Sequence, residues 1–290
     1  MRTKLLLIAA LAGGFPAVAI VPAAIAQATA PAPREIAYGA DPLQKLEVYP
    51  ARARGAPLVI FVHGGGWKRG DMGNATGASK VQHFTGRGYA FATVNYRLVP
   101  AASVEEQAAD VAGAIAALLS RARELGFDPA KVILMGHSAG AHLAALVATD
   151  PRYLAKTGIG LDRLAGVVLL DGAAYDVPAQ MAEAGRFMHG TYEQAFGTDP
   201  ARQRALSPTL QAAAPNARDF LILHVERDDG TRQSEALGRA LQAAGARVTV
   251  QGLPGRGLRG HMAINRQLGD PDYPATAIVD GWIDTVVGAR

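Results

Sequence analysis

The chain has 290 residues, of which 49% are hydrophobic and 19% are charged, and its formal net charge is +4. These proportions supply enough apolar side chains for one large core, and the scattered basic residues exclude a dedicated nucleic-acid-binding face. Because the chain contains no cysteine, it cannot form a disulfide, a thiolate nucleophile or a cysteine-ligated zinc site.

The first 26 residues have the pattern of a secretory signal peptide. Arg2 and Lys4 provide the basic start, an apolar run covers residues 5–12, and Ala24-Ile25-Ala26 fits the small-residue cleavage rule. We therefore predict cleavage after Ala26 and a periplasmic or secreted protein without membrane attachment once the peptide is removed. Residues 27–40 begin with an alanine- and proline-rich stretch and are expected to form a flexible mature N-terminus.

Residues 41–290 alternate short apolar runs with segments of helical periodicity. Near-continuous apolar runs separated by helices are typical of a mostly parallel sheet covered by helices on both faces, so we predict the α/β fold class. No repeat or linker divides this region, which indicates one domain. The segment 173–218 is longer than an ordinary connection, and we predict a small helical cap insertion that contributes to the substrate pocket.

A nucleophile motif stands near the centre of the chain. The apolar run 132–135 leads directly into Gly136-His137-Ser138-Ala139-Gly140, and an alanine- and leucine-rich helical segment follows over 143–148. A strand, a tight turn with a central serine and a helix form the context that a nucleophile elbow requires. Small residues around Ser138 permit the sharp turn, and a helix N-terminus favours negative charge. We therefore predict Ser138 as a catalytic nucleophile.

The base that activates this serine is predicted to be His261. A serine hydroxyl is a poor nucleophile at neutral pH and needs a base within hydrogen-bonding reach. His261 lies at the end of a glycine-rich segment, 254–260, that follows the last predicted strand, 248–252. We expect this segment to be a loop that carries the imidazole over the carboxyl edge of the sheet, in the chain order serine, acid, histidine.

A carboxylate should orient this histidine and stabilise its charged form. It is expected after the penultimate strand, 220–225, where Asp228 and Asp229 are adjacent. Neighbouring loop residues project in different directions, so only one of them can face the imidazole; we favour Asp229 and keep Asp228 as the alternative. Asp171, which follows the strand after the elbow, is the third candidate.

An oxyanion hole is predicted from the glycine run His63-Gly64-Gly65-Gly66, which follows the apolar run 57–62. Acyl transfer develops a negative oxygen that must meet preorganised N–H donors. We assign the donors to Gly65, Gly66 and Ala139, the residue after the nucleophile, and we assign a hinge to Gly64. A phosphate-binding loop is the competing interpretation, but neither a Lys-Ser/Thr pair nor a G-x-G-x-x-G pattern accompanies the run.

Together these segments resemble a known group of enzymes. His63-Gly64-Gly65-Gly66-Trp67, Asn95-Tyr96-Arg97-Leu98 and Gly136-His137-Ser138-Ala139-Gly140 are similar to motifs of the α/β-hydrolase fold, and within it to the hormone-sensitive-lipase-like and feruloyl-esterase-like (BD-FAE-like) carboxylesterases. The resemblance extends from about residue 40 to the end of the chain. It implies an acyl-enzyme mechanism on short-chain acyl or aryl esters, with the triad and oxyanion residues given above and without a cofactor or metal.

Two features of the sequence depart from the family pattern. Val225 stands where a glycine is common in the acid segment, and Arg256 and Arg259 lie near His261, where they either favour an anionic substrate or are solvated. The expected substrate is a small ester, free or carried on a polysaccharide, and the oligomeric state is not indicated. The alternative functions are an arylformamidase or related amidase, and a non-catalytic binding protein with a hydrolase fold.

Overall fold

The computed structural model describes residues 32–213 and 215–288. The predicted signal peptide over 1–26 lies outside the described residues, as do residues 27–31. In the described part, eight strands form one sheet in the order β1-β2-β4-β3-β5-β6-β7-β8. The strands are β1 (Arg34–Ala37), β2 (Lys45–Tyr49), β3 (Ala56–Val62), β4 (Ala90–Val94), β5 (Phe127–His137), β6 (Leu164–Leu170), β7 (Asp219–Glu226) and β8 (Arg247–Arg256).

Helices cover both faces of this sheet. They are α1 (Ala78–Gly86), α2 (Val104–Leu119), α3 (Ala122–Leu125), α4 (Ala139–Thr149), α5 (Pro151–Ala155), α6 (Val177–Glu183), α7 (Arg186–Phe196), α8 (Pro200–Ala205), α9 (Pro208–Gln211), α10 (Asp228–Ala243), α11 (Gly257–Gln267) and α12 (Pro274–Gly288), with a 3-10 turn at Leu161–Arg163. Strands β3 to β8 run parallel, whereas β1 and β2 are antiparallel to their neighbours. The mostly parallel sheet between two helical layers confirms the predicted architecture.

The two helical layers explain why the central strands read as near-continuous apolar runs. Every residue of β4 and β6 is buried, because helices pack on both faces of the sheet. One apolar cluster joins the sheet to α2, α4 and α10, and a second joins its other face to α1, α11 and α12. Each large side chain buried in this way contributes roughly 1.5–3 kcal/mol. The buried central strands therefore hold the segments that follow them in fixed positions.

At the N-terminal edge of the sheet, the structure differs from the expectation that residues 27–40 are flexible. Residues 34–37, which were expected to belong to a flexible segment, form β1 and pair with β2. The side chains of β1 are mostly exposed, so no apolar alternation marks this strand in the sequence. Salt bridges from Arg34 to Glu124 and from Lys45 to Glu35 accompany the backbone pairing.

The central strands end in matching register at one edge of the sheet. Val62 of β3 pairs with Gly136 of β5, and His137 of β5 pairs with Leu170 of β6. Leu170 in turn pairs with Leu223 of β7. The segments that follow these strands therefore start side by side at the carboxyl edge, where open α/β sheets bind their ligands.

The segment between β6 and β7, residues 173–218, is called the cap from here on. It contains α6, α7, α8 and α9, and α9 packs on α4 and α10. The cap therefore lies next to the helix that follows the elbow. In the part of the chain that the structure describes, no helix has the length and apolar character needed to cross a membrane.

Candidate active site

Ser138 stands at a sharp turn between β5 and α4. Its φ of 56° lies in the left-handed region that residues with a side chain rarely adopt. Two glycines make the turn possible. A Cβ on Gly136 would lie 2.3 Å from the Gly140 carbonyl oxygen, and a Cβ on Gly140 would lie 2.2 Å from the Val62 carbonyl oxygen. The structure thus has an elbow geometry at this position, and it presents Ser138 at the N-terminus of α4.

Strained backbone gathers at this edge of the sheet. Among the described residues, the non-glycine residues with positive φ are Trp67, Ser138, Asp171 and Ala174. Trp67 follows the glycine run, whereas Asp171 and Ala174 follow β6, the strand beside the elbow strand. Such conformations cost on the order of 1–3 kcal/mol each and cluster at functional sites. Their shared location marks this edge as the candidate active site.

His261 lies on a helix, and the glycine-rich loop expected from the sequence is not the observed conformation. Strand β8 extends to Arg256 and α11 begins at Gly257, so His261 falls in the second turn of α11. Glycines permit this direct passage, since a Cβ on Gly260 would lie 2.7 Å from the Gly255 carbonyl carbon. The imidazole is therefore carried by a regular element, and the residue is only 9% exposed.

The carboxylate beside His261 is Asp171. Asp171 Oδ2 lies 2.5 Å from His261 Nδ1, and Asp171 Oδ1 accepts a hydrogen bond of 3.1 Å from the Val225 backbone N–H. The Asp171 side chain is completely buried. The expected contact of His261 with Asp229, or with Asp228 as its alternative, is therefore wrong for the described structure. The third candidate from the sequence occupies that position.

The end of β6 explains why Asp171 reaches the histidine. Leu170 pairs with His137, and the Ser138 backbone N–H donates to the Leu170 carbonyl oxygen at 3.1 Å. Asp171 and Ser138 are therefore the first residues after two neighbouring strands, and they lie at the same height along the sheet. This equal height follows from the register of β5 and β6, which the sequence pattern does not give.

The start of α10 explains why Asp228 and Asp229 do not reach it. Only Arg227 separates β7 from α10, and both aspartates belong to the first turn of that helix. Carboxylates in a first turn are stabilised by the helix dipole. Asp229 Oδ2 accepts a hydrogen bond of 3.3 Å from Gln180 Nε2 of the cap, and it lies 3.6 Å from Arg227 Nη1. The expected flexible acid loop is thus replaced by a helix.

His137 connects the elbow with the helix that carries His261. His137 Nε2 donates to the His261 carbonyl oxygen at 2.9 Å, and the two ring centroids lie 4.5 Å apart. Burial and the neighbouring His261 hold the pKa of His137 well below its ordinary value. A neutral His137 therefore packs on the imidazole of His261, a contact that sequence reasoning missed. Since the Nδ1 of His261 faces Asp171, its Nε2 is the nitrogen left for chemistry.

The glycine run lies against Ser138. A Cβ on Gly64 would lie 3.0 Å from Ser138 Cβ, which only a residue without a side chain allows. Gly65 and Gly66 have φ values of 133° and 62°, and a Cβ on Gly65 would lie 1.9 Å from the Arg69 carbonyl oxygen. Neither the Gly65 nor the Gly66 N–H donates to another residue within the described ranges. Both donors are therefore available at the predicted oxyanion loop.

His63 and Tyr96 hold this run in place. Their rings stack at 4.4 Å, and the Tyr96 hydroxyl donates to the His63 carbonyl oxygen at 2.9 Å. Burial lowers the pKa of His63, so its neutral Nδ1–H donates to the Gly64 carbonyl oxygen at 2.8 Å. Asn95 Oδ1 accepts a 2.6 Å hydrogen bond from the Met72 N–H, in the segment after the run. These motif residues therefore shape the loop.

Trp67 and His142 join the oxyanion loop to the cap, a link that sequence analysis missed. Trp67 Nε1 donates to His142 Nδ1 at 3.2 Å, and His142 Nε2 donates to the Leu206 carbonyl oxygen at 2.8 Å. Burial lowers the pKa of His142 to about 4, so the imidazole is neutral and can accept one bond while it donates the other. The sequence did contain a signal for this link: His142 stands four residues after Ser138, which places it near the serine on the same face of the predicted helix.

The two arginines near His261 are solvated in the structure. Arg256 Nε pairs with Glu226 Oε2 at 2.6 Å, and both side chains are largely exposed. Arg259 is also exposed. The charge of Arg256 is thus paired with Glu226 at the surface.

The chain is similar in sequence to known hydrolases. Residues 46–157 match the BD-FAE family model. Esterase LipC from Mycobacterium tuberculosis is 30% identical over 206 residues, which cover 67% of this chain and 51% of LipC, so the chain spans about half the length of that relative. Kynurenine formamidase from Salmo salar is 26% identical over 250 residues, which cover 84% of this chain and 79% of that protein.

Solved structures share the fold. Esterase B from Lactobacillus rhamnosis superimposes with a TM-score of 0.71 at 25% identity, covering 88% of this chain and 85% of that one. Esterase 2 from Thermogutta terrifontis, phosphonylated by sarin, has a TM-score of 0.73 at 22% identity, covering 90% and 97% of the two chains, and shows the fold alone. These similarities confirm the α/β-hydrolase fold and the resemblance to BD-FAE-like esterases.

Proposed function

We propose that this α/β-hydrolase-fold protein is a carboxylic ester hydrolase that uses Ser138, His261 and Asp171 through an acyl-enzyme intermediate. The observation that carries the proposal is the 2.5 Å contact between the buried Asp171 and His261, at the edge where Ser138 occupies a strained turn. Binding alone does not require a serine elbow, a carboxylate-bound histidine and a glycine run with free N–H donors at one place. This combination therefore favours catalysis over a binding role.

The first chemical step is attack of Ser138 on the ester carbonyl carbon. Asp171 accepts the Nδ1–H of His261, which leaves the Nε2 lone pair to take the proton from Ser138 Oγ. Asp171 also stabilises the imidazolium that forms. The proton then passes from Nε2 to the leaving alkoxide as its C–O bond breaks, and the acyl group stays on Ser138 Oγ.

The oxyanion of the tetrahedral intermediate faces the N–H groups of Gly65, Gly66 and Ala139. Removing one donor of this kind costs about 3–4 kcal/mol in other serine hydrolases, so the fixed positive φ values at the two glycines matter for rate. Water activated by the Nε2 of His261 then attacks the acyl-enzyme through a second such intermediate. The acid leaves, and Ser138 regains its proton.

The expected preference for short acyl or aryl esters comes from the family resemblance, and the cap bounds the site on one side. Thr191 Cγ2 of α7 would lie 3.1 Å from a Cβ on Gly66, so the cap lies directly on the oxyanion loop. Trp67, the next residue along the loop, packs on Tyr192 of the same helix with ring centroids 5.9 Å apart. These contacts bound the site on the oxyanion side. The alcohol part of the substrate is either a small molecule or a polysaccharide, and the substrate screen distinguishes the two.

Hydrolysis of p-nitrophenyl esters from acetate to octanoate tests this function, with Ser138→Ala as the matched control. We expect turnover that is fastest on the short esters and a loss of about 10⁴-fold or more in the variant. A fluorophosphonate should add one covalent group to the native protein and none to the variant. Equal hydrolysis by both proteins would refute the proposal. Methyl ferulate and acetylated xylan extend the screen to aryl and polysaccharide esters.

Formamide hydrolysis is the second candidate, because the similarity to kynurenine formamidase covers 84% of this chain. The same three side chains would act, but the leaving group is an arylamine that needs a proton from His261 Nε2 as the C–N bond breaks. Comparing N-formyl-arylamines with p-nitrophenyl acetate separates the two functions. A larger kcat/KM on the formamides would favour a formamidase, whereas formamides left intact would favour the esterase.

Export from the cytoplasm is also proposed, from the sequence pattern of the first 26 residues. Expression in a bacterial host followed by mass measurement tests it. We expect a periplasmic or secreted mature chain that begins at Gln27. An intact chain that begins at Met1 and stays in the cytoplasm would contradict the proposal.

A further inference from the structure

Arg227 lies beside the contact between Asp171 and His261. Its Nε is 3.2 Å from Asp171 Oδ2, the same oxygen that contacts His261 Nδ1, as an ion pair without hydrogen-bond geometry. Its Nη2 donates to the Gly172 carbonyl oxygen at 3.2 Å. The Arg227 side chain is 20% exposed, so little solvent screens its charge from the two partners.

The same guanidinium has a second carboxylate on its other side. Arg227 Nη1 lies 3.6 Å from Asp229 Oδ2, which also accepts the hydrogen bond from Gln180 of the cap. Gln180 is fixed in turn, because its Oε1 accepts a 3.0 Å hydrogen bond from the N–H of the strained Ala174. Arg227 therefore lies between two carboxylates, one in contact with the histidine and one held by the cap.

The positive charge of Arg227 lies beside Asp171. It weakens the stabilisation that this carboxylate gives to a charged imidazole. Asp171 favours the charged form of His261, whereas the positive charge of Arg227 disfavours it. Asp229 offsets part of the Arg227 charge from the other side. The charges of Arg227 and Asp229 therefore act in opposite directions on the proton that His261 takes up as a base.

We propose that Arg227 is a positioning residue that fixes Asp171 and keeps His261 neutral, and that Asp229 moderates this effect through Arg227. The inference rests on the proposed function, because it concerns the same serine, histidine and aspartate. It also gives Asp229 a role: this carboxylate acts on the histidine through the guanidinium that lies between them.

Other titratable groups surround His261 and bear on the same pH range. His137 packs on its ring, and Lys80 of α1 binds Asn265, one turn further along the helix of His261. Burial lowers the pKa of Lys80 to about 7. Burial and then the charge of Asp171 raise the pKa of Tyr273. The test therefore changes Arg227 and Asp229 while these groups stay in place.

The pH dependence of kcat/KM for p-nitrophenyl acetate provides the test. Arg227→Met removes the cation and should move the acid limb of the profile to higher pH by about one unit, the size of effect expected for a charge at this range. Arg227→Lys keeps a charge and should move the limb less. Asp229→Asn leaves the Arg227 charge less balanced and should move the limb to lower pH.

Titration of the His261 ring by NMR, assigned with His261→Asn, measures the same property without turnover. We expect parallel displacements in the two measurements. An unmoved limb in a folded, active Arg227→Met protein would overturn the proposal, and so would equal displacements in the Met and Lys variants. A fall in kcat with no displaced limb would show a merely structural role.

Two further outcomes are decisive, and the second separates this proposal from the proposed function. If Arg227→Met does not fold, Asp229→Asn decides, and an unmoved His261 titration there overturns the proposal. If the NMR titrations move as expected in a protein that hydrolyses no ester, the role of Arg227 stands while the proposed function fails.

Discussion

Asp171 Oδ2 and His261 Nδ1 lie 2.5 Å apart, although 90 positions of the sequence separate the two residues. The contact forms because β6 ends beside the elbow strand and α11 starts where β8 ends. A strand end and a helix therefore carry the two side chains, with no flexible loop between them. The imidazole is held with one nitrogen on the carboxylate and the other available.

The oxyanion loop should depend on the contact between Gly66 and Thr191. Gly66→Ala places a side chain at a φ of 62° and 3.1 Å from Thr191 Cγ2. We expect a loss of about 1–2 kcal/mol in the free energy of unfolding and about 10²-fold in kcat/KM, because the N–H donor is displaced. Thr191→Ser in the same protein removes the methyl group and should recover part of the activity. Equal kcat/KM in the single and double variants would contradict this reading of the contact.

Gly65 should tolerate substitution less well than Gly66. A Cβ on Gly65 would lie 1.9 Å from the Arg69 carbonyl oxygen, and a backbone atom cannot be trimmed by a second substitution. We expect Gly65→Ala to unfold at a lower temperature than Gly66→Ala in thermal melts. A Gly65→Ala protein with native stability and activity would show that the loop is not fixed as the structure has it.

His142 should make the protein sensitive to acid. Burial lowers its pKa to about 4 from an ordinary value of 6.5, so the unfolded state binds more protons between these values. The free energy of unfolding should therefore fall as the pH decreases from 6.5 to 4, by on the order of 3 kcal/mol from this residue. Urea unfolding of the native protein and His142→Gln across this range measures the difference. Parallel pH profiles for the two proteins would contradict the prediction.

Lys80 should make stability depend on pH in the same direction, but at higher pH. It is completely buried against Phe61, and its Nζ donates to oxygens of Thr76 and Asn265. Burial lowers the pKa of Lys80 to about 7 from 10.5, so the cost of burying its charge is present in full below pH 7 and is relieved towards pH 10.5. The native protein should therefore gain stability relative to Lys80→Met over this range, by up to about 5 kcal/mol.

Denaturant unfolding at pH 7, 8.5 and 10 checks this difference. Hydrogen bonds lost in Lys80→Met lower its stability by a similar amount at each pH, so the slope of the difference isolates the titration. A difference in the free energy of unfolding that does not change with pH would mean that Lys80 keeps its charge throughout.

The turn at Ser138 and the glycine run over 64–66 could be recognised in the sequence because both need residues without side chains at fixed positions. The turn at Ser138 needs glycines at 136 and 140, and the close approach of the loop needs Gly64 and Gly65. Gly136 and Gly65 approach backbone four residues further along the chain, whereas Gly140 and Gly64 approach backbone that follows or belongs to another strand. All four positions leave a glycine pattern that can be recognised in the sequence. The apolar runs likewise predicted the sheet, since burial on both faces leaves little room for polar residues.

The acid could not be chosen from the sequence because the choice depends on where two elements end. The start of α10 at Asp228 leaves no loop to carry Asp229 to the histidine, and a three-dimensional register decides the height of Asp171. The helical position of His261 could not be predicted either. A glycine-rich segment predicts a loop, and only the structure shows that these glycines let Gly255 pack on Gly260. The ends of elements and the register between strands, which the apolar pattern does not specify, therefore decided these positions.

The comparison of Asp171→Asn with Asp229→Asn tests the central claim most directly. Asparagine matches aspartate in shape and tolerates the φ of 42° at position 171, so the substitution removes charge and little else. We measure kcat/KM on p-nitrophenyl acetate at pH 8, with Asp228→Asn as a further control. The account predicts a loss of about 10⁴-fold for Asp171→Asn and less than about tenfold for the other two variants. Near-native activity in Asp171→Asn, with a large loss in Asp229→Asn or Asp228→Asn, would contradict it.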